Sequence, residues 1–333
     1  MLSCISLFVN LSTMTTKFTV AICVCLYLSI TSLSLAQSDA EQVLSTAEED
    51  YFVHNILLNK KFNPNEVRQI ANNFTAAKFD TVYSVLSKCG VNFDFIHPEE
   101  YSNEFGIDKA LVKAHADATV ELIWNSKVVA LGEQYKKMVG KHICSAGLLA
   151  HNQIMTAAHC FEAEHVPNFP EKNGKPVTKR EAAEFMSVRL NRQQVGSTKH
   201  VRNGQSVNVR RIEKIRSGKG SSVDDFAIVK IDSVKTVVGN NFSVVNPNSA
   251  MLEGRGLLLV HYPIGMPKVL GFTEKYSFNA VDIKHKIDTN YGSSGGPLFQ
   301  DGRLVGIHTK PGCTQAAAGS NVGLNYKSIE RRL

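Results

Sequence analysis

The second part of the chain consists of many short apolar runs separated by turn residues. After Trp124, runs rich in Val, Ile and Leu alternate with Gly, Asn, Ser and Lys; among them are VVALGEQY, HICSAGLLA, EFMSVRL, FAIVKI, GLLLVHY and LVGIHT. Short strands without long helical segments between them are typical of antiparallel barrels or sandwiches, not of a parallel sheet. The pattern predicts an all-β domain over residues 125–333.

The preceding segment, residues 37–124, has a helical periodicity. Apolar residues recur three and four positions apart, as at Phe79, Val82, Tyr83 and Leu86, and again at Ile107, Ala110, Leu111, Ala114 and Ala118. No chemical motif stands out in this segment. We predict a small helical region here, which is either a removable propeptide or a permanent regulatory domain.

The first 36 residues carry one charge, Lys17, and no acidic residue. From Met14 onward there is a basic start, an apolar run Phe18–Leu33 and small residues at Ser34–Ala36. This order predicts a secretory signal peptide over residues 1–36 and a secreted protein. An uncleaved anchor is the alternative, because the apolar run approaches the length of a short membrane span. The small, polar exit favours cleavage and no stable membrane insertion.

Cleavage would leave an even number of cysteines, which in a secreted chain suggests disulfides whose pairing spacing alone does not fix. These cysteines are Cys89, Cys144, Cys160 and Cys313. Two Asn-x-Ser/Thr sequons, at Asn73 and Asn241, predict glycosylation in the same compartment.

Three short motifs in the all-β part supply the groups of nucleophilic catalysis. A serine hydroxyl needs a base to take its proton, and that base must be oriented by a third group. TAAHC contains His159, DDFAIVKI contains Asp225 and GSSGGP contains Ser294. Each motif alone has a plainer interpretation, as a structural histidine, a turn aspartate or a flexible loop. Their occurrence together favours catalysis.

In this chain order, the three motifs resemble those of the chymotrypsin-fold serine peptidases, and the resemblance extends over residues 128–333. It implies two packed antiparallel β-barrels and an endopeptidase acting on protein or peptide substrates. Ser294 would be the nucleophile, His159 the general base and Asp225 the residue that orients it. The backbone N–H groups of Gly292 and Ser294 would form the oxyanion hole. No cofactor is expected, and His and Cys do not cluster at zinc-ligand spacing.

The resemblance also bears on the cysteines. It implies a disulfide between Cys144 and Cys160, which would tie the histidine loop to the preceding strand. Cys313 stands where one partner of the family's pocket disulfide would be, but Asn290 occupies the other position. Cys313 can therefore pair with Cys89 or remain free.

Two features depart from the digestive members of the family. Ser293 replaces the aspartate that precedes the nucleophile there, and no IVGG-like sequence follows a basic cleavage site. Without a buried carboxylate, a newly cut N-terminus would have no partner. We therefore expect no activation by that route.

The pocket motifs are similar to those of the glutamyl endopeptidases and the chymotrypsin-like main proteases of small RNA viruses. VHYPIGMPK resembles the Tyr-Pro turn of that branch, and VGIHT, which ends at Thr309, resembles its pocket strand. Thr289 precedes Ser294 by five positions and His308 follows it by fourteen. A hydroxyl and an imidazole N–H can both donate to a Glu carboxylate or a Gln amide oxygen. The resemblance implies cleavage after Glu or Gln.

Asp288 leaves an alternative open. It lies six positions before Ser294, where the trypsin branch keeps the aspartate that pairs with Lys or Arg. On the pocket floor it would favour basic substrates. Bonded to His308, it would instead hold the imidazole for an acidic or amide partner, and it could also be a surface turn residue.

A basic segment, residues 172–219, contains thirteen Lys or Arg and three Glu. It is either a solvated surface or a site for a polyanion or acidic partner. Aromatic interleaving that would indicate nucleic acid is lacking. A non-catalytic secreted binding protein on the same fold, working through this surface, is the alternative to an enzyme.

Overall fold

The computed structural model describes Cys89 and residues 95–195, 200–218, 221–238, 242–313 and 319–333. The predicted signal peptide, the helices predicted before Cys89 and the sequon residues Asn73 and Asn241 lie outside these residues. All described residues belong to the second of two compact units, Asp50–Leu333. Within them, no helix is long and apolar enough to cross a membrane.

Strands dominate the described chain, as most of the short apolar runs predict. The VVALGEQY run is the exception, since it lies in two 3-10 helices, Ser126–Leu131 and Glu133–Met138. The strands are β1 (Thr119–Trp124), β2 (His142–Ala150), β3 (Gln153–Thr156), β4 (Glu171–Lys172), β5 (Lys175–Pro176), β6 (Met186–Val195), β7 (His200–Gly218), β8 (Ser221–Ile231), β9 (Leu257–His261), β10 (Val269–Thr273), β11 (Tyr276–Phe278), β12 (Asp282–His285), β13 (Pro297–Gln300), β14 (Arg303–Lys310) and β15 (Asn321–Asn325). The helices are α1 (Lys109–Asp117), α2 (Lys179–Glu184), α3 (Lys235–Val238) and α4 (Tyr326–Glu330).

The large strands form two antiparallel sheets. The first closes into a barrel in the order β1-β2-β3-β8-β7-β6, and the second has seven strands in the order β10-β9-β13-β14-β15-β12-β11. Hydrogen bonds between described residues close the first sheet but not the second. This architecture confirms the predicted all-β fold of two packed, barrel-like sheets.

The two sheets share a core. Met155 of β3 and Phe226 of β8 belong to the same buried cluster as Leu258 of β9 and Phe299 of β13. Because side chains alternate across a strand, one face of β3 and β8 fills the first barrel while the other meets the second sheet. Strand β3, which precedes the His159 turn, and strand β8, which carries Asp225, are therefore buried on both faces.

Helix α1 begins where the sequence predicts one. The carboxylate of Asp108 caps it by accepting from the N–H groups of Ala110 and Leu111. At its other end, the buried Lys268 ammonium donates to the Ala116 carbonyl, which suits the negative end of the helix dipole.

The boundary predicted after Trp124 is corrected by the structure. The six residues of β1 lie in the predicted helical region, yet β1 pairs with β2 and β6 inside the closed barrel. The TVELIW run is too short to separate a strand from a helix end by periodicity. A cut after Trp124 would remove a strand from the barrel.

Two disulfides tie the fold together. Cys144 in β2 is bonded to Cys160 after β3, the pair implied by the family resemblance. Cys89 is bonded to Cys313, across a sequence separation of 224 residues. The second bond attaches Cys89 to a residue just after β14, and of the two alternatives for Cys313 the structure has the paired one.

Candidate active site

His159 and Asp225 are held together by two hydrogen bonds. His159 lies in a 3-10 turn, Ala158–Phe161, and its neighbour Cys160 anchors that turn to β2. The Asp225 carboxylate lies 2.8 Å from His159 Nδ1 and accepts from the His159 backbone N–H at 3.1 Å. Because a carboxylate can only accept, Nδ1 carries the proton and Nε2 remains available as a base.

The environment keeps Asp225 ionised. Its side chain is largely buried, and burial alone would raise its pKa. The His159 imidazole and the backbone N–H groups of Ala158 and His159 outweigh burial and lower that pKa below the ordinary value. An ionised carboxylate at this position stabilises the imidazolium that forms when His159 takes a proton.

Ser294 lies in the loop between β12 and β13 and is partly exposed. His159, Asp225 and Ser294 line the same cleft, of about 390 Å³. Between Ser294 and His159, both of which the structure describes, no hydrogen bond forms. Catalytic hydrogen bonds are often loose without substrate and tighten in the complex.

Backbone N–H groups beside Ser294 fall into two classes. Those of Tyr291, Ser293, Gly295 and Gly296 are used inside the loop or its neighbours: they donate to Asn290 Oδ1, Asn290 O, His308 O and Ser293 O at 2.7–2.9 Å. The N–H groups of Gly292 and Ser294 have no acceptor among the described residues. These two are the pair predicted for the oxyanion hole.

The carbonyls of the loop fix the direction of these free donors. In a trans peptide the N–H points opposite to the preceding C=O. Tyr291 O accepts from Ile264 N at 2.6 Å, so the Gly292 N–H in the same peptide points away from Ile264. Ser293 O accepts from Gly296 N at 2.9 Å, so the Ser294 N–H in the same peptide points away from Gly296.

Two glycines are required by the close packing of this loop. Gly292 has φ +84°, and a Cβ there would lie 1.8 Å from His142 Nε2. Gly295 has φ +78°, and a Cβ there would lie 2.1 Å from Thr156 Oγ1. A side chain at either position would meet both a strained backbone and an occupied space.

Behind Gly292 lies a buried ionic cluster. His142 Nδ1 is 2.9 Å from Glu121 Oε1, and Arg189 Nε donates to Glu121 Oε2 at 2.7 Å. Burial alone would raise the pKa of Glu121, but Arg189, Arg192 and His142 hold it well below the usual range. The buried Glu121 carboxylate holds the His142 ring against the loop, since loss of that bond would leave a buried group without its partner.

Comparison with known proteins agrees with this geometry. Residues 144–307 match the family model described as trypsin-like peptidase domain, and the match includes His159, Asp225 and Ser294. This part of the chain is a trypsin-like serine peptidase domain. The match confirms the predicted fold family and the predicted class of enzyme, a serine-type endopeptidase.

Two further comparisons add little to the peptidase assignment. No curated protein matches the chain. A solved structure of a Glu endopeptidase in complex with MPD matches with 19% identity and a TM-score of 0.42, covering 65% of this chain and 90% of that chain. At so low a TM-score, that likeness by itself says nothing about the substrate.

Among the described residues, one group of potential metal ligands lies close together, with ligand atoms within 4.8 Å of one another: Cys144, His159 and Cys160. Both sulfurs are joined to each other in a disulfide. A cysteine binds a metal as its thiolate, so the two disulfide-bonded sulfurs of this group do not make a metal site with His159.

Two of the predicted substrate-binding side chains carry donors that no described residue of the protein accepts from. Thr289 is buried, and its Oγ1 has no hydrogen-bond partner in the described part of the chain. His308 is buried in β14, and its backbone carbonyl accepts from Gly295 N at 2.7 Å, next to the nucleophile. Its Nδ1 lies 3.3 Å from His285 Nε2, whereas Nε2 has no partner among described residues.

Three buried imidazoles, those of His261, His285 and His308, are neutral. Burial lowers the pKa of His285 to about 3, and burial together with the neighbouring imidazole lowers the pKa of His308 well below its ordinary value. Burial does the same for His261, whose Nδ1 lies 2.8 Å from Ser293 Oγ. The Ser293 hydroxyl also accepts from Asn290 N at 2.9 Å, so it is fixed inside the loop.

Asp288 and Thr309 are directed toward backbone groups. Asp288 is buried, and its Oδ1 accepts from Cys89 N at 2.5 Å. Thr309 lines the cleft, but its hydroxyl donates to Val322 O at 3.2 Å. The interpretation of Asp288 as a surface turn residue is wrong, since Asp288 is buried and bonded to the Cys89 backbone.

Arginines of the basic segment have acidic neighbours. Exposed Arg210 pairs with Asp232, and exposed Arg211 lies 3.2 Å from Glu213. These pairs partly compensate the local positive charge. Binding of a polyanion by residues 172–219 stays a prediction.

Several residues that shape the site escaped the sequence analysis. Ser145, Glu121 and His142 carry no motif of their own, although Ser145 and His142 lie in the HICSAGLLA run around Cys144. The roles of Ser145 and His142 depend on contacts with the loop around Gly292, about 150 positions away, and Glu121 acts through its bond to His142. For Ser145 and His142, their position beside Cys144 was the only available signal, and Glu121 had no such signal.

Proposed function

We propose that the protein is a secreted serine endopeptidase that cleaves after Glu or Gln. The observation that supports the chemistry is the pair of free N–H groups, Gly292 and Ser294, beside a serine that shares its cleft with His159 and Asp225. Secretion is supported by the sequence of residues 1–36 and by two disulfides, which persist in oxidising compartments.

The proposed reaction follows from the geometry. His159 Nε2 takes the proton of the Ser294 hydroxyl as its oxygen attacks the scissile carbonyl carbon. The resulting oxyanion accepts from the Gly292 and Ser294 N–H groups, and Asp225 stabilises the imidazolium. His159 then protonates the leaving amine, which departs and leaves an acyl-enzyme. A water molecule, deprotonated by His159, releases the acid product and restores Ser294.

Specificity for Glu or Gln is supported by two donors that are unused within the described part of the chain, Thr289 Oγ1 and His308 Nε2. A buried hydroxyl without a partner, as at Thr289, costs about 1–3 kcal/mol. That cost is recovered if a substrate oxygen accepts from Thr289 Oγ1 and from His308 Nε2. A Glu carboxylate or a Gln amide oxygen is the acceptor that both donors fit.

Because His308 is neutral, it should interact differently with a Glu side chain and with a Gln side chain of the substrate. An amide oxygen can accept from a neutral imidazole N–H without any change in protonation. A carboxylate brings a negative charge, which would raise the pKa of His308 in the complex and draw in a proton. We therefore expect Glu substrates to bind with proton uptake and Gln substrates without it.

The alternative preference, for Lys or Arg, is weakened by the surroundings of Asp288. Its carboxylate accepts from the Cys89 backbone N–H, and the Cys89–Cys313 disulfide holds Cys89 in place. A basic substrate side chain would have to compete with this fixed donor for the carboxylate.

Four peptides that differ only in Glu, Gln, Lys or Arg before the scissile bond test the proposal. We expect faster turnover after Glu or Gln, and Thr289→Val should lower kcat/KM for them by about 10- to 100-fold, as expected for a hydrogen bond to a charged or buried acceptor. Thr273→Val, which also removes a buried threonine hydroxyl from the second sheet, should leave the preference unchanged.

The possible outcomes separate the two parts of the proposal. Faster turnover after Lys or Arg would overturn the Glu/Gln specificity and leave the catalytic assignment intact. If the secreted protein cuts no peptide and a serine-directed phosphonate does not label it, the binding-protein alternative is favoured.

A further inference from the structure

A strained turn lies against the loop that carries the oxyanion donors. In the turn Tyr262–Gly265, Ile264 has φ 52° and ψ 32°. This left-handed conformation is rare for a β-branched residue, whose branched Cβ crowds the backbone. Such outliers persist only where surrounding structure enforces them, and they concentrate at functional sites.

The turn controls one oxyanion donor directly. Ile264 N donates to Tyr291 O at 2.6 Å, and Tyr291 O belongs to the same peptide unit as the Gly292 N–H. Within a planar trans peptide the two groups point in opposite directions. The left-handed backbone of Ile264 therefore sets the direction of the Gly292 N–H.

Ser145 of β2 makes a second link between the turn and the loop. It is fully buried, and its hydroxyl donates to Gly292 O at 2.8 Å while it accepts from Tyr262 N at 2.9 Å. Its backbone N–H donates to Ser294 O at 2.9 Å. One residue thus fixes the carbonyls of both residues whose N–H groups are free.

We propose that Ser145 and the Tyr262–Gly265 turn form a clamp that holds the oxyanion hole in its active geometry, with Ser145 as the positioning residue. Ser293, which replaces the buried aspartate of the digestive peptidases, is already bonded to His261 and Asn290. The loop is therefore ordered from within, and no newly cut N-terminus is needed to form the hole. The inference rests on the proposed peptidase activity.

Ser145→Ala tests the clamp by deleting one oxygen atom. We expect kcat to fall about 10- to 100-fold with little change in KM, somewhat less than the loss of a whole oxyanion donor. The matched control is Ser187→Ala, which removes a buried serine hydroxyl of β6 that bonds only Asn208. The control should keep the wild-type kcat.

Inhibitor affinities separate positioning from a general loss of structure. A tetrapeptide aldehyde adds to the serine as a hemiacetal whose oxygen occupies the oxyanion hole, whereas the matching tetrapeptide alcohol has no carbonyl to form that bond and no charged oxygen. Ser145→Ala should weaken binding of the aldehyde about as much as it lowers kcat and leave affinity for the alcohol unchanged. A folded Ser145→Ala protein with wild-type kcat and aldehyde affinity would overturn the clamp.

A second variant decides the matter if Ser145→Ala does not fold. Replacing Ile264 by its α-hydroxy acid analogue, introduced during translation, deletes the N–H that holds Tyr291 O and keeps the side chain. It should show the same selective loss of aldehyde affinity, and wild-type behaviour would overturn the proposal. A wild-type protein that neither reacts with a phosphonate nor binds the aldehyde would instead refute the peptidase function on which the clamp rests.

Discussion

Gly292→Ala should damage catalysis far more than it damages folding. The added Cβ would lie 1.8 Å from Nε2 and 2.4 Å from Cδ2 of His142. His142 has little freedom to yield, since its Nδ1 is 2.9 Å from the buried carboxylate of Glu121. The loop must move instead, and the movement displaces the Gly292 N–H from the developing oxyanion.

The magnitude follows from two separate costs. A positive φ, here +84°, costs an alanine roughly 1–2 kcal/mol relative to glycine, which lowers the free energy of unfolding. Loss of one oxyanion donor lowers kcat about 10²- to 10³-fold, or roughly 2.7–4 kcal/mol of transition-state stabilisation. Substrate binding in the ground state uses other contacts, so KM should change little.

Gly254→Ala is the matched control. Gly254 has φ +70°, and a Cβ there would meet nothing within 4 Å. It should lose the same roughly 1–2 kcal/mol of stability for its positive φ but keep the wild-type kcat. Steady-state kinetics on one peptide and thermal unfolding of the three proteins make the comparison. A folded Gly292→Ala enzyme with wild-type kcat would refute the assignment of its N–H to the oxyanion hole.

Two further predictions concern protonation. One compares two peptides that carry Glu or Gln before the scissile bond and measures the ratio of their kcat/KM values, Glu over Gln. This ratio should rise as pH falls through the raised pKa of His308 in the Glu complex, by at most about tenfold per pH unit. Burial holds the pKa of free His308 low, so only the Glu complex takes up a proton; a pH-independent ratio would contradict the role given to His308. Asp225→Asn should lower kcat about 10⁴-fold, because an amide no longer selects the His159 tautomer with Nδ1 protonated; near wild-type kcat for the Asp225→Asn enzyme across a full pH profile would exclude Asp225 from the triad.

Short motifs made much of this site predictable from the sequence. TAAHC, DDFAIVKI and GSSGGP each fix one residue by its immediate neighbours, and the structure brings His159, Asp225 and Ser294 to one cleft. The all-β fold was predictable for a similar reason, because apolar runs and turn residues act over a few positions. The boundary at Trp124 was not, since a six-residue buried strand has no distinctive period.

The sequence by itself determined which groups can do chemistry: a serine, an imidazole, a carboxylate and glycines that let the loop turn tightly. Only the tertiary structure decided how those groups are held. The hydroxyl of Ser145 reaches Gly292 O across 147 positions, and the Cys89 N–H reaches Asp288 across 199. Such contacts depend on how strands of two sheets pack, and the direction of a single N–H depends on them. Local residue patterns carry no record of either.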